Sequence, residues 1–137
     1  MARTTIISWT LRIIAAIIML QTLYFKFTAS PESVYIFSTL GIEPWGRIGT
    51  GIMELLASLL LLFRPTVVIG AFLSVGIMAG AILSHLFILG IAVQHDGGLL
   101  FIYALIVFIS GLVIFWIHRH DMEKFLPARF IPSRLRH

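Results

Sequence analysis

The chain has 137 residues, the size of one domain; 59% of them are hydrophobic, 12% are charged, and the net charge is +4. With a mean hydropathy of +1.02, a water-soluble fold of this size could not hide so much apolar surface, so the chain is read as dissolved in a bilayer. The positive charge suits membrane-flanking loops rather than a nucleic-acid surface, and the absence of cysteine excludes thiolate catalysis, disulfide exchange and Cys-ligated iron–sulfur or zinc sites in this chain.

Residues 9–27 form the first apolar segment. As a helix it is about 28 Å long, enough to cross the hydrocarbon core. Arg12 and Lys26 stand near its two ends, from which their long side chains reach the interfaces. No small-x-small cleavage site follows the segment, which favours a retained span over a signal peptide. Next comes Ser30-Pro31-Glu32, a helix-start pattern of cap, first-position proline and first-turn acid. It predicts a short interfacial helix over 31–40, ended by Gly41. The second span runs over about 45–63 and breaks at Arg64-Pro65. The third covers about 66–90, the fourth about 98–117, and a basic tail occupies 121–137. The predicted fold is all-α: an integral membrane four-helix bundle over 1–120, with one short interfacial helix between its first two spans.

Four spans put both ends of the chain on one side. Arg3, Arg12, Arg64, Arg119, Lys124, Arg129, Arg134 and Arg136 fall on that side, and only Lys26 and Arg47 on the other. This bias predicts cytoplasmic termini and makes the tail an anchor for anionic lipid or a dock for a soluble partner.

With that orientation the costly side chains gather in the outer half. Glu54 lies about 10 Å below Arg47 along the second span. A carboxylate at that depth is either half of a structural ion pair, with Arg47, Lys26 or His85, or a proton-exchanging or ligand-binding group. Arg47, Gly51, Glu54 and Ser58 share a helical face, and Gly51 leaves a gap between the two charges. His85 near the outer end of the third span is the candidate proton partner of Glu54, or an interfacial hydrogen-bonding histidine. A haem would need a second buried histidine, and His95 stands at a loop edge. Asp96 opens the fourth span as a helix cap or a ligand contact. Gln21 and Tyr103 are ligand contacts or buried hydrogen-bonding groups. Gly76, Gly80 and Ser84 form a small-residue stripe, for packing within the bundle or for a homodimer face. No metal-spaced cluster, nucleophile triad or phosphate loop is present.

Gly41-Ile42-Glu43-Pro44-Trp45-Gly46-Arg47, Gly51-x-x-Glu54, Ser84-His85-Leu86 and Asp96-Gly97-Gly98-Leu99, preceded by Lys26-Phe27 and Pro31-Glu32, occur here in order. In this the chain resembles the DoxX family of small four-span membrane proteins, over about residues 11–119. The resemblance implies a four-helix membrane bundle in the cell (inner) membrane, associated with quinone-linked redox or with oxidative and sulfur stress. On that reading Glu54 and His85 exchange protons with an apolar ring ligand such as quinone, and Arg47 or Lys26 holds its polar oxygen. Electrons come from a redox partner subunit, so the chain is at most the accessory subunit of an oxidoreductase. The rival expectation is a non-enzymatic scaffold, assembly chaperone or lipid-like ligand binder. Expected partners are membrane lipid, a redox subunit or a second copy of the chain, and no nucleic acid.

Overall fold

A computed structural model describes residues 2–124. Among these the chain is all-helical. The helices are α1 (Arg3–Phe27), α2 (Pro31–Thr39), α3 (Trp45–Leu62), α4 (Val67–Ser84) and α5 (Leu99–Ile117). A 3-10 turn (Arg64–Thr66) leads into α4, and a π-turn (His85–Leu89) extends it. With these extensions, four helices are long and apolar enough to cross a membrane. The basic tail of the sequence lies outside the described residues, apart from a 3-10 turn at Arg119–Lys124.

The local sequence accounts for the elements. Residues 3–27 contain no glycine or proline, so α1 begins at Arg3, six residues before the apolar run. Ser30 Oγ accepts from Ser33 N at 3.2 Å and Pro31 stands at the first position of α2. Gly41, at φ +77°, ends the connection as a residue that tolerates the left-handed region. At the other end of α3, Thr66 Oγ1 donates to the Leu60 and Phe63 carbonyls, satisfying backbone that the helix leaves open.

The spanning helices pack in the ring order α1, α3, α4, α5 and back to α1. Their shared core is built of small and flexible side chains: Ala15, Met19, Ala57, Leu61, Ala71, Met78, Val107 and Ile114. Close approach depends on two glycines. A Cβ on Gly70 would lie 2.7 Å from Leu61 N, and one on Gly111 would lie 2.8 Å from Val75 Cγ2. The outer surface is apolar, with Ile17, Leu59, Phe72, Ile109 and Trp116 each more than half exposed. In water that belt would be untenable. In a bilayer it is the lipid-facing surface, and the chain is a multi-pass membrane protein.

Two buried arginines tie helix ends together. Arg12, 2% exposed, donates from Nε to the Leu61 carbonyl in the last turn of α3 and stacks 3.8 Å over the Trp9 ring. Arg47, 8% exposed, donates from Nη1 to the Lys26 carbonyl in the last turn of α1. Each places a cation on carbonyls that a helix terminus leaves unpaired. The sequence suggests that Arg12 snorkels to the interface. The structure corrects this: a carbonyl and a ring within reach hold it inside the bundle.

Candidate functional site

The core is dense in the half where α1 begins and α5 ends and opens in the half near α2. There the helices leave a cavity of about 1210 Å³, walled by α1 from Ile18 to Lys26, by the first turns of α3 and α5, and by the last turns of α4. α2 lies along it, contributing Glu32, Ile36 and Phe37. The room comes from small residues. Gly49, Gly76 and Gly80 all line the cavity, and a Cβ on any of them would meet nothing within 4 Å. The stripe of Gly76 and Gly80, read from sequence as a packing or dimer face, therefore packs against no neighbouring helix among the described residues.

Glu54 lines this cavity and is 2% exposed. Its Oε1 accepts from Lys26 Nζ at 2.8 Å and its Oε2 from Thr22 Oγ1 at 2.8 Å. Thr22 and Lys26 are four apart on α1, so one face of α1 presents both donors to one carboxylate on α3. Lys26 turns inward rather than to the interface, because an anion in the apolar wall attracts it more than the boundary does. It spends one of three N–H donors on Glu54.

Arg47 departs from expectation. It does not share Glu54. Its Nε pairs with Glu43 Oε1 at 2.8 Å, and it is absent from the cavity wall. The Gly51 gap that would have let Arg47 reach Glu54 is filled by the Phe27 ring, 2.6 Å from where a Cβ would stand.

His85 is 5% exposed, on the wall of the cavity, with its ring 5.7 Å from Phe101 in an edge arrangement. Its Nδ1 lies 3.0 Å from the Gly90 carbonyl. A carbonyl only accepts, so Nδ1 carries the hydrogen, and Nε2 is the ring nitrogen left to face the cavity side as an acceptor whenever the ring is neutral. The π-turn that begins at His85 sets this geometry.

Asp96 lines the cavity between α4 and α5. Its Oδ1 accepts from Val93 N and Gly98 N at 3.0 and 2.8 Å, and its Oδ2 from Leu100 N at 3.3 Å. It caps α5 as a carboxylate. Burial alone would raise its pKa, but these three N–H groups and the nearby His85 outweigh burial and hold it below the usual range. Glu32 shows the opposite. Burial, then the Asp96 charge and a hydrogen bond to Asp96, push its carboxyl up. Backbone amides favour the Asp96 anion, so as pH falls Glu32 is the member of this carboxyl pair that takes up a proton first.

Gln21 lines the cavity at an exposed position, and Tyr103 is half-buried on its wall. Of the residues picked from sequence, Glu54, Lys26, His85, Asp96, Gln21 and Tyr103 meet around one cavity, and Arg47 does not. Sequence reasoning missed Thr22, Glu43 and Glu32. Four-residue spacing, from Thr22 to Lys26 and from Glu43 to Arg47, was the available signal for the first two. Among the described residues, no group of three or more His, Asp or Glu could hold a metal ion.

The cavity therefore offers an apolar chamber with an N–H donor at Lys26 and a nitrogen acceptor at His85. A sequence model described as the DoxX-like family matches residues 10–110. No curated protein and no solved structure matches the chain.

Proposed function

The chain belongs to the DoxX-like family, and from that premise we propose that it binds a quinone-type lipid in the cavity near α2, as an accessory subunit of quinone-linked redox in the cell membrane. The carrying observation is the cavity of about 1210 Å³, apolar in most of its wall, with a buried Lys26–Glu54 pair and His85 on its surface. An apolar ring with oxygens at its edges suits that wall. A free Lys26 N–H donates to a carbonyl oxygen, and His85 Nε2 accepts from a hydroxyl. A bound quinone would supply the two-electron chemistry. This chain's residues hold the ring and pass its protons, and a partner subunit provides electrons.

A second reading has its own support. Both Glu54 oxygens are already satisfied within the chain, as expected of a network that fastens α1 to α3 in a scaffold. Titrating the purified chain with a short-chain quinone separates the two. Of the three tryptophans, Trp45 lines the cavity, so saturable quenching of its fluorescence is expected. A folded Glu54→Gln variant should bind several-fold more weakly. No saturable quenching in the wild type would sink quinone binding. Loss of folding in Glu54→Gln, with quinone binding absent throughout, would favour the scaffold.

A further inference from the structure

At the opposite end of the bundle is a second recess, of about 100 Å³, lined by Thr4, Thr5, Ser8, Arg12, Arg64 and His118, together with Trp9 and Ile117. It is separate from the quinone-type site: no residue lines both. We propose that this recess binds a phosphate oxyanion, either inorganic phosphate or the phosphate of an anionic lipid headgroup.

The first argument is an unpaired cation. Arg12 is 2% exposed, and its Nη2 is buried with no hydrogen-bond partner. A buried guanidinium nitrogen without an acceptor is costly. Its Nε donates to the Leu61 carbonyl and its plane lies over the Trp9 ring, which leaves Nη2 a buried nitrogen without an acceptor.

The second argument is the charge around it. Arg64 joins Arg12 on the recess wall. The acids of the spanning bundle stand away from this pair. Glu32, Glu43, Glu54 and Asp96 belong to the other half of the bundle, and Asp121 faces His118 Nδ1 at 3.5 Å. From residue 119 on, the sequence carries two acids, Asp121 and Glu123, against Arg119, Lys124, Arg129, Arg134 and Arg136. Burial lowers the His118 pKa first, and Arg12 and Arg64 lower it further against the opposing effect of Asp121. Two guanidiniums and an imidazole thus share a small space that an anion would balance.

The third argument is the donor set. Thr4 and Thr5 lie in the first turn of α1, where no side chain caps the helix and backbone N–H groups favour negative charge. Ser8 Oγ bonds His118 Nε2 at 2.7 Å, which fixes the imidazole at the rim. Hydroxyls and guanidinium forks around a volume of a few water-sized groups suit a tetrahedral oxyanion with several acceptor oxygens. On the charge bias of the loops this end faces the cytoplasm, the side whose lipid carries the negative surface.

The test uses the full-length chain. In one arm, the unfolding midpoint in neutral detergent is followed with inorganic phosphate against chloride of equal ionic strength. In the other, the chain sits in nanodiscs of phosphatidylcholine alone or mixed with phosphatidylglycerol. The wild type should be stabilised in at least one arm. A response to inorganic phosphate identifies a small-anion site, and a response confined to phosphatidylglycerol identifies a headgroup site. Arg64→Gln, at an exposed position, should bind several-fold more weakly and lose most of the response. Arg12→Gln should lose it where it folds, and Arg64→Gln decides where it does not. No stabilisation in either arm overturns the proposal. So does a response that Arg64→Gln leaves intact but an Arg134→Gln/Arg136→Gln tail variant abolishes.

Discussion

Truncating Lys26 would leave the Glu54 carboxylate charged in an apolar wall with only Thr22 as partner. Lys26→Met is expected to destabilise the chain by about 3–5 kcal/mol, and Lys26→Met/Glu54→Leu to recover most of that loss. Chemical unfolding of the two variants in detergent checks it. Glu32 makes a second prediction, about pH. Its carboxyl is raised above the ordinary 4.5 in the folded chain, so the folded state holds more protons than the unfolded one between 4.5 and the raised value. Its contribution is complete below 4.5 and is lost as pH rises through the raised value. Asp96, held below the ordinary 3.8, contributes above that value and loses its contribution as pH falls through the lowered one. Across about pH 4 to 8 the unfolding midpoint of the wild type relative to Glu32→Gln should fall as pH rises, whereas His118, held below its ordinary 6.5, adds a rise with pH common to both proteins. At this scale the sequence was partly readable. A carboxylate at mid-span marks Glu54 as costly, and depth alone groups it with Lys26 and His85. Which cation it takes was not readable, because the answer turns on where the Phe27 ring sits. Likewise Glu32 reads as an ordinary first-turn acid until the loop brings Asp96 against it.

The helices were legible as elements for simple reasons. Long apolar runs, Arg64-Pro65 and Ser30-Pro31 mark where backbone enters and leaves lipid. Their neighbours were not. Gly76 and Gly80 have the spacing of a packing stripe, whereas the glycines of α4 and α5 that sit against a neighbouring helix are Gly70 and Gly111, which share no motif. A substitution series separates the two pairs. Gly70→Ala and Gly111→Ala press a methyl into backbone or a branched side chain and should each cost about 1–3 kcal/mol. Gly76→Ala and Gly80→Ala meet open space and should be neutral or stabilising by up to ~1 kcal/mol, from helix propensity alone. Unfolding of the four variants under one condition checks the order. The reverse order would mean that the α4 stripe is covered by another chain in the membrane.

Over the whole molecule, a dense half and an open half share one ring of helices. The dense half carries the start of α1, the end of α5 and the buried Arg12, with Arg3, Arg64 and Arg119. The open half carries Glu32, Glu43, Glu54 and Asp96 and the cavity. The charge bias predicts that the open half faces outward, and the chain supplies its own background for testing this, since it has no cysteine. In intact cells, a membrane-impermeant thiol reagent should label Thr28→Cys, beside α2, but reach His120→Cys only after lysis; the opposite pattern inverts the topology. The central claim is that the open half holds a quinone-type lipid, and it is tested most directly by organic extraction and mass spectrometry of the purified chain beside a folded Gly80→Phe variant. That substitution places a ring in the open space of the cavity wall. The expected result is about one quinone-type lipid per wild-type chain, as a single cavity of this size allows, and its loss in Gly80→Phe. Wild-type chain without such a lipid, or equal amounts in both proteins, would contradict it.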